Sequence, residues 1–589
     1  MPRVDRASVV PAVAGVLIVL HVLLRLWTAS GGWFLRQDFL AAAAAAGLPV
    51  DVPGPPGAAA LARVMASVAP MSWPAFVILE LVGQLAVDLL LYGLLVQLFG
   101  RRPAVLLPLA VYLASTLPLV GGLWWSAALV QLPLQLALLV AVTGHVRHLR
   151  TGGTGALVAS SLAVAIGLLF SPGMALVPLL LLVGTAMWGS LRRSRRVWPA
   201  QIAAVAAGLA ARALTSAAPL VDATTLADNA RDLPGTLLHT VLPGLVGGPG
   251  AWSPAVLPLV VPDPAGAVVL TAAVVVAAVV LVTVLVHRGA LRAWLLAAAV
   301  TVAVLVSGVF SPTGADSGGL TADVVPPAVL ALVAALALGL ASLPVRGAPT
   351  VLRRRGWATR GIGLRVLRPA TAPALAAIAV AALAAASVVS TAAFGQYWSA
   401  NAARDFVDAA RAGLTGRTDL VLVDGPVPEA VVPGALAPAN TTAAVLAGAP
   451  GLPWVLREGE SANQLTALDA AGRPQLAAVD AVSTSRTGPV PDCGWLVGAD
   501  PVEVPLSRAT RGDDWIVRVS YFAGEGNVVR VDAGDTVTGA LVGAGLLDLY
   551  VRVTGSVDRV VLTVEDPQRP ICVGAVTVGR AVPIPPDAK

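Results

Sequence analysis

Long apolar runs alternate with short charged loops from Val9 to about Phe394, and there the alternation stops. A helix needs roughly 18–20 apolar residues to cross a hydrocarbon core. Eleven runs approach or reach that length: Val9–Trp27, Trp73–Phe99, Ala104–Val120, Trp124–Thr143, Gly155–Phe170, Gly173–Gly189, Trp198–Ala217, Ala265–Val286, Leu291–Phe310, Val325–Leu343 and Ala370–Ala393. The pattern predicts an α-helical polytopic membrane bundle over residues 1–394 with about 11 transmembrane helices. The fifth and sixth runs are short and meet at Ser171-Pro172-Gly173. They read as two crossings joined by a tight turn, with a re-entrant pair as the alternative.

After Phe394 the residues are polar and mixed. Trp398–Leu414 has helical spacing, with Ala402, Phe406, Ala409, Ala410 and Leu414 on one face. Asp419–Asp424 reads as a buried strand followed by a Gly425-Pro426 turn, so residues 395–487 are expected to form a small α/β segment. From Gly488 onward the period changes to two. Trp515–Tyr521, Val528–Val531, Leu547–Val553 and Val557–Val564 alternate, which predicts a β-sandwich of the jelly-roll kind over residues 488–589.

Charge orients the bundle. The chain carries 57% hydrophobic and 12% charged residues, too apolar for an ordinary soluble protein. From Gly395 onward there are 15 Lys and Arg against 22 Asp and Glu, whereas the preceding part carries 24 against 11. Its bases cluster in alternate loops: Arg3/Arg6, Arg101/Arg102, Arg147/Arg150, Arg192/Arg193/Arg195/Arg196, Arg288/Arg292 and a run from Arg346 to Arg368. The positive-inside rule puts those loops and the N-terminus in the cytoplasm. An odd number of crossings then exports the C-terminal region. Bases that hug the membrane favour anionic lipid headgroups and argue against a nucleic-acid partner. The first run is long and lacks a clean cleavage site, so it reads as a retained span rather than a signal peptide. Both cysteines, Cys493 and Cys572, fall in the exported region, and an oxidising compartment predicts a disulfide between them.

Outer segments are expected at residues 28–72, 219–262 and 311–323. The first contains Arg36-Gln37-Asp38-Phe39 and then an amphipathic stretch, Ala58–Ala69, suited to the membrane surface. The second holds Asp222, Asp228, Arg231, Asp232 and His239, and the third Asp316 and Asp323. Asp38 is the candidate catalytic carboxylate, either as general base toward an acceptor hydroxyl or as holder of a divalent cation. Arg25, Arg36 and Arg212, all expected near the outer boundary, have the planar forks that bind a lipid phosphate. Inside the second run, Glu80, Gln84 and Asp88 form one helical stripe with Tyr92 a turn further. An ionised carboxylate in lipid is costly, so this stripe must face the bundle interior or a wet cavity. It serves either as a proton or ion path or as interhelical hydrogen bonding with Arg25 or Arg212 as counter-charges. No phosphate loop, dinucleotide fingerprint, His-Glu-x-x-His or Cys-x-x-Cys occurs.

This layout resembles the GT-C glycosyltransferases, membrane enzymes that use polyprenyl-phosphate-linked sugar donors. Within that resemblance the chain is similar to a group of actinobacterial multi-pass membrane proteins. The matching pieces are Arg36-Gln37-Asp38-Phe39, Leu98-Phe99-Gly100-Arg101-Arg102-Pro103, Trp124-Trp125, His145-Val146-Arg147, Trp398-Ser399-Ala400-Asn401, Cys493-Gly494-Trp495 and Cys572-Val573-Gly574. The resemblance implies a GT-C-like bundle with Asp38 as catalytic residue, and a transfer of sugar to a cell-envelope glycan or protein acceptor at the outer face. Two positions depart from the pattern. Phe39 stands where relatives tend to have a second acid, and Ser171-Pro172-Gly173 stands where they tend to have an acid-and-base pair. The alternatives are therefore a catalytically inactive relative that acts in envelope assembly or glycan binding, and a transporter or flippase using Glu80, Gln84 and Asp88.

Overall fold

In the computed structural model, described residues are 6–52, 54–188, 197–215, 233–256, 258–287, 289–309, 320–345, 372–437, 439–449, 454–512 and 514–584. Arg3, Arg192, Arg193, Arg195, Arg196, Asp222, Asp228, Arg231, Asp232, Arg288, Asp316 and the basic run Arg346–Arg368 lie outside them. The chain divides into two compact units, Met1–Ala402 and Ala403–Lys589.

The first unit is helical. In chain order it contains α1 (Arg6–Ser30), α2 (Asp38–Ala45), α3 (Pro56–Val68), α4 (Trp73–Phe99), α5 (Leu106–Ala114), α6 (Leu119–Leu123), α7 (Trp125–Thr151), α8 (Thr154–Gly167), α9 (Val177–Trp188) and α10 (Val197–Thr215). A short hairpin, β1 (Trp252–Val256) and β2 (Leu259–Pro262), precedes α11 (Gly266–Val286), α12 (Ala290–Val309), α13 (Leu320–Ser342) and α14 (Ala372–Trp398). Among the described residues six helices are long and apolar enough to cross a membrane: α1, α4, α7, α10, α11 and α14. The other five expected runs are shorter apolar helices. This is a multi-pass membrane protein, and its spans expose side chains such as Leu20, Val82, Ile202, Leu270 and Ile378 on faces suited to lipid.

The third expected run, Ala104–Val120, is not one helix. It forms a 3-10 turn at Pro103–Val105, then α5, then an irregular step at Ser115–Pro118 before α6. Pro118 has no amide hydrogen and pushes Leu117 away from helical backbone angles, so the helix cannot run through. Irregular backbone at this depth requires partners within the protein. Here Arg25 Nη1 donates to the Pro118 and Leu119 carbonyls at 3.1 and 3.3 Å, and Gln131 Nε2 donates to Pro118 at 3.1 Å.

α3 packs its small residues, Ala58, Ala59, Ala62 and Ala66, inward and leaves Leu61, Val64 and Val68 exposed. That division suits a helix lying in the membrane interface. Leu134, Ala137 and Ala141 of α7 build one apolar core with Val164 of α8, Leu168 just after it, Leu181 of α9 and Ala204 of α10.

The second unit begins with α15 (Ala402–Leu414), whose buried face is Ala403, Phe406, Val407, Ala410 and Leu414. Its larger sheet runs β4 (Trp454–Val455), β3 (Val421–Leu422), β6 (Thr466–Leu468), β7 (Pro474–Thr484), β15 (Ile571–Pro583), β10 (Trp515–Ala523), β13 (Gly545–Val553) and β5 (Ser461–Ala462). β8 (Trp495–Val497) pairs beside β15. β3 is parallel to β4 and β6, and the rest of the path is antiparallel. A second sheet runs β12 (Thr536–Val542), β11 (Asn527–Ala533), β14 (Arg559–Val564) and β9 (Val502–Pro505). Alternation places Val517, Val519 and Tyr521 of β10 inward against Val529 and Val531 of β11 and Val560 and Leu562 of β14. Cys493 and Cys572 form a disulfide across 79 positions of sequence, tying the turn before β8 to the start of the last strand.

Candidate active site

The loop after α1 is pinned from three directions. At the end of α1, the Ala29 carbonyl accepts a hydrogen bond from Trp73 Nε1 at 2.9 Å, which fixes the start of α4. Gly32 lies flat against the Trp398 indole at the end of α14, so close that a β-carbon there would overlap the ring. Asn401 Nδ2 donates to the Trp33 and Phe34 carbonyls at 3.3 Å each. An aromatic wall follows: Phe34 meets Trp73 and Trp125 edge-on with centroids 5.2 Å away in both cases, and Phe76 completes it 5.1 Å from Trp125. Arg36 then adopts φ of +53°, an unusual conformation for a residue with a β-carbon, and the turn delivers Asp38 to the first position of α2.

Asp38 is buried, 4% exposed. Its Oδ2 accepts from the Leu35 amide at 3.0 Å, and its Oδ1 accepts from the Ser126 amide at 3.1 Å and from the Ser126 hydroxyl in a short contact. Ser126 is in the first turn of α7, where amides lack intrahelical partners and the helix dipole favours negative charge. The helix's own cap residue, Trp124, supplies no side-chain cap. Asp38 therefore caps α7 from another segment. Burial nevertheless dominates and pushes the Asp38 carboxyl up to about 7, against the pull of the Ser126 and Leu35 hydrogen bonds. Phe39 is fully enclosed and packs on Trp33 with centroids 6.0 Å apart.

A second polar cluster lies inside the spans. Glu80, Gln84 and Asp88 are fully buried on one face of α4. Asp88 Oδ2 is 2.8 Å from His21 Nδ1 on α1, and Asp88 Oδ1 accepts from Gln84 Nε2 at 2.8 Å. Gln84 Nε2 also reaches Tyr112 Oη at 3.2 Å, which donates to Gln135 Oε1 at 3.2 Å, and Gln135 Nε2 donates to the Ala328 carbonyl at 3.1 Å. Arg25 Nε donates to His21 Nε2 at 3.4 Å. Among the described residues neither oxygen of Glu80 has a hydrogen-bond partner, nor does Oε1 of Gln84 or of Gln131.

The proposed site residues therefore fall into separate places. Asp38 sits with Ser126 and Leu35. Arg25 sits with the α4 stripe and the α5–α6 step, and among the described residues no hydrogen bond or ion pair links it to Asp38. Arg212, near the end of α10, is 5% exposed, and among the described residues its Nε and Nη1 have no hydrogen-bond partner. Among the described residues, no group of three or more His, Cys, Asp or Glu side chains is placed to hold a metal ion. Sequence reasoning missed Ser126 and Trp124 as neighbours of Asp38, because nothing local marks a helix start that borrows its cap. It also missed His21, Gln131, Gln135 and Tyr112 as a network. The available signal was the four-residue spacing of His21 and Arg25, and of Gln131 and Gln135, within apolar runs.

No protein-family model matches the chain, and no curated protein matches it. Solved structures similar to it include the following. ArnT from Cupriavidus metallidurans bound to undecaprenyl phosphate is 14% identical with a TM-score of 0.43, covering 78% of this chain and 93% of its own. Arabinofuranosyltransferase AftD from Mycobacteria is 12% identical with a TM-score of 0.38, covering 98% of this chain and 60% of its own. Arabinosyltransferase EmbB from Mycobacterium smegmatis is 14% identical with a TM-score of 0.31, covering 97% of this chain and 64% of its own. The chain thus spans less than two thirds of the AftD and EmbB chains, and no residue correspondence is drawn from any of the three.

Proposed function

We propose that this chain is a GT-C-like membrane glycosyltransferase that moves a sugar from a polyprenyl-phosphate-linked donor to a cell-envelope acceptor at the outer face. The observation that supports it is Asp38: a buried carboxyl in the loop after α1, pushed up to about 7, is matched to accepting a proton near neutral pH. In this reading the acceptor hydroxyl attacks the anomeric carbon and gives its proton to Asp38. The bond from that carbon to the phosphate oxygen breaks, and polyprenyl phosphate leaves with the electron pair. The Ser126 hydroxyl now holds the place on Oδ1 that the acceptor hydroxyl would take. Arg212, with two guanidinium nitrogens open among the described residues, and Arg36 are the proposed phosphate holders. Arg25 is committed to the Pro118 and Leu119 carbonyls and is left out of that role. In this reading the N-terminus is cytoplasmic and the C-terminal unit is outside, as the positive-inside pattern of the loops suggests.

One observation favours a second reading, a catalytically inactive relative working in envelope assembly or glycan binding. Both oxygens of Asp38 are already used inside the protein, as a helix cap demands. Two measurements on the full-length protein in lipid nanodiscs separate the readings. Undecaprenyl phosphate should bind and raise the unfolding temperature, with at least a tenfold weaker affinity in Arg212→Gln, as expected for losing a charge-assisted contact. Transfer of labelled sugar to envelope glycan should be lost in Asp38→Asn while lipid binding persists. Lipid binding without any transfer in the wild type selects the second reading. Absence of lipid binding removes both the donor class and the role of Arg212.

A further inference from the structure

The α4 stripe carries a site that the transfer reaction does not use. Four charged or titratable side chains meet there: His21 and Arg25 from α1, and Glu80 and Asp88 from α4. Tyr112 of α5 joins them through Gln84. The remaining elements packed around them contribute neutral groups among the described residues: the Pro118 and Leu119 carbonyls, Gln131 and Gln135 of α7, and the Ala328 carbonyl of α13. α14, which packs on α1, has no charged residue.

The hydrogen-bond directions set the charge on His21. Arg25 can only donate, so His21 Nε2 accepts and the ring proton sits on Nδ1, facing Asp88. His21 is then neutral. Arg25 contributes one positive charge and Asp88 one negative charge, and the pair balances. A charged Glu80 would leave a net negative charge in a fully buried position, where uncompensated charge is most costly. Arg25 and Asp88 are the charges that act on Glu80, yet neither of its oxygens makes a hydrogen bond. Gly122 marks the meeting point: a β-carbon there would lie 3.1 Å from Arg25 Nη1 and 3.6 Å from both Glu80 Oε1 and Gln131 Nε2.

We infer that Glu80, with Arg25 and the His21–Asp88 pair, forms an intramembrane proton-binding site that holds one exchangeable proton. The proton rests on Glu80, and among the described residues His21 is the other neutral group able to take it. Moving it to His21 fills the lone pair that Arg25 Nε now uses. Arg25 is then repelled from the ring, and the same guanidinium holds the carbonyls of the α5–α6 step. Proton position and the geometry of that step are therefore coupled.

Infrared titration of the full-length protein in lipid nanodiscs tests this, read at the carbonyl stretch of protonated carboxylic acids in H2O and D2O. The expected result is a deuterium-sensitive acid band through neutral pH that is lost in Glu80→Gln. Asp88→Asn should lose the same band although Glu80 is intact, because Arg25 then needs Glu80 as its counter-charge. Glu80→Asp should keep a band at a shifted position, which guards against misfolding as the cause of loss. A band that survives in Glu80→Gln, or that persists unchanged in Asp88→Asn, overturns the proposal. So does loss of the band on adding sodium chloride at fixed pH, which would assign the orphaned oxygens to a metal cation. None of these readouts depends on sugar transfer, so the site stands or falls apart from the transferase reading.

Discussion

Asp38 Oδ1 accepts a hydrogen bond from the Ser126 amide at 3.1 Å, so a residue of the loop after α1 caps α7 through an amide 88 positions later. Removing the carboxylate strands the Leu35 and Ser126 amides in a buried place. Each stranded donor costs ~1–3 kcal/mol. Asp38→Ala should therefore lower the unfolding temperature of the full-length protein clearly. Ser126→Ala, which keeps its amide, should cost no more than about 1 kcal/mol. Equal effects from the two would remove the capping role.

The same burial makes stability depend on pH. Asp38 is pushed up to about 7 when folded, above the ordinary 3.8 of an aspartate, so between those values the folded state binds more protons than the unfolded state. Stability should fall as pH rises from about 4 to about 7 and then level off, by on the order of 4 kcal/mol at most. Asp38→Asn cannot titrate and should lack that contribution. Unfolding temperatures of both proteins across this range check it; parallel curves would contradict it.

Gly32 and Trp398 form a second lock. A β-carbon on residue 32 would enter the indole ring, which is fully buried. Gly32→Ala should expel Trp398, with a loss of about 3–5 kcal/mol, comparable to truncating a buried aromatic residue. In Trp398→Ala the added methyl should be nearly neutral. That non-additivity, read from a double-mutant cycle of unfolding temperatures, is the signature of direct packing.

The disulfide closes a long loop around the sandwich. Cys493→Ser or chemical reduction should destabilise the second unit by about 2–5 kcal/mol, chiefly by freeing its unfolded chain. The unfolding transition of the first unit should not move. A shared shift of both transitions would mean that the two units unfold together.

Much of this architecture was readable from periodicity. Trp73–Phe99 was delimited as a run and is α4 to the residue. The alternation of Trp515–Tyr521 became a strand with Val517, Val519 and Tyr521 inward. Two cysteines in an expected oxidising compartment sufficed for the bridge. The break in Ala104–Val120 was not read, because hydropathy is blind to a proline whose freed carbonyls are met by Arg25 and Gln131. The environment of Asp38 was not readable either. Its oxygens meet Ser126, 88 positions away, and the loop that carries it is held by Trp398 and Asn401, all distant in sequence and without a shared local motif. Departures such as Phe39 could be seen, but whether they closed the site is a matter of three-dimensional packing.

The contacts of Gly32 with Trp398, and of Trp33 and Phe34 with Asn401, also impose an order of events. α1 and the loop that follows it are synthesised long before α14, and domains generally assemble as the chain emerges. Until the stretch around Trp398 has been inserted, the loop bearing Asp38 lacks one of its walls. The segment Gly32–Phe34 therefore gains these contacts only when the last described helix of the bundle arrives. Completion of the membrane part is in this sense self-reporting: a truncated or stalled chain would carry an open first loop, recognisable to proteases, whereas the finished one would not.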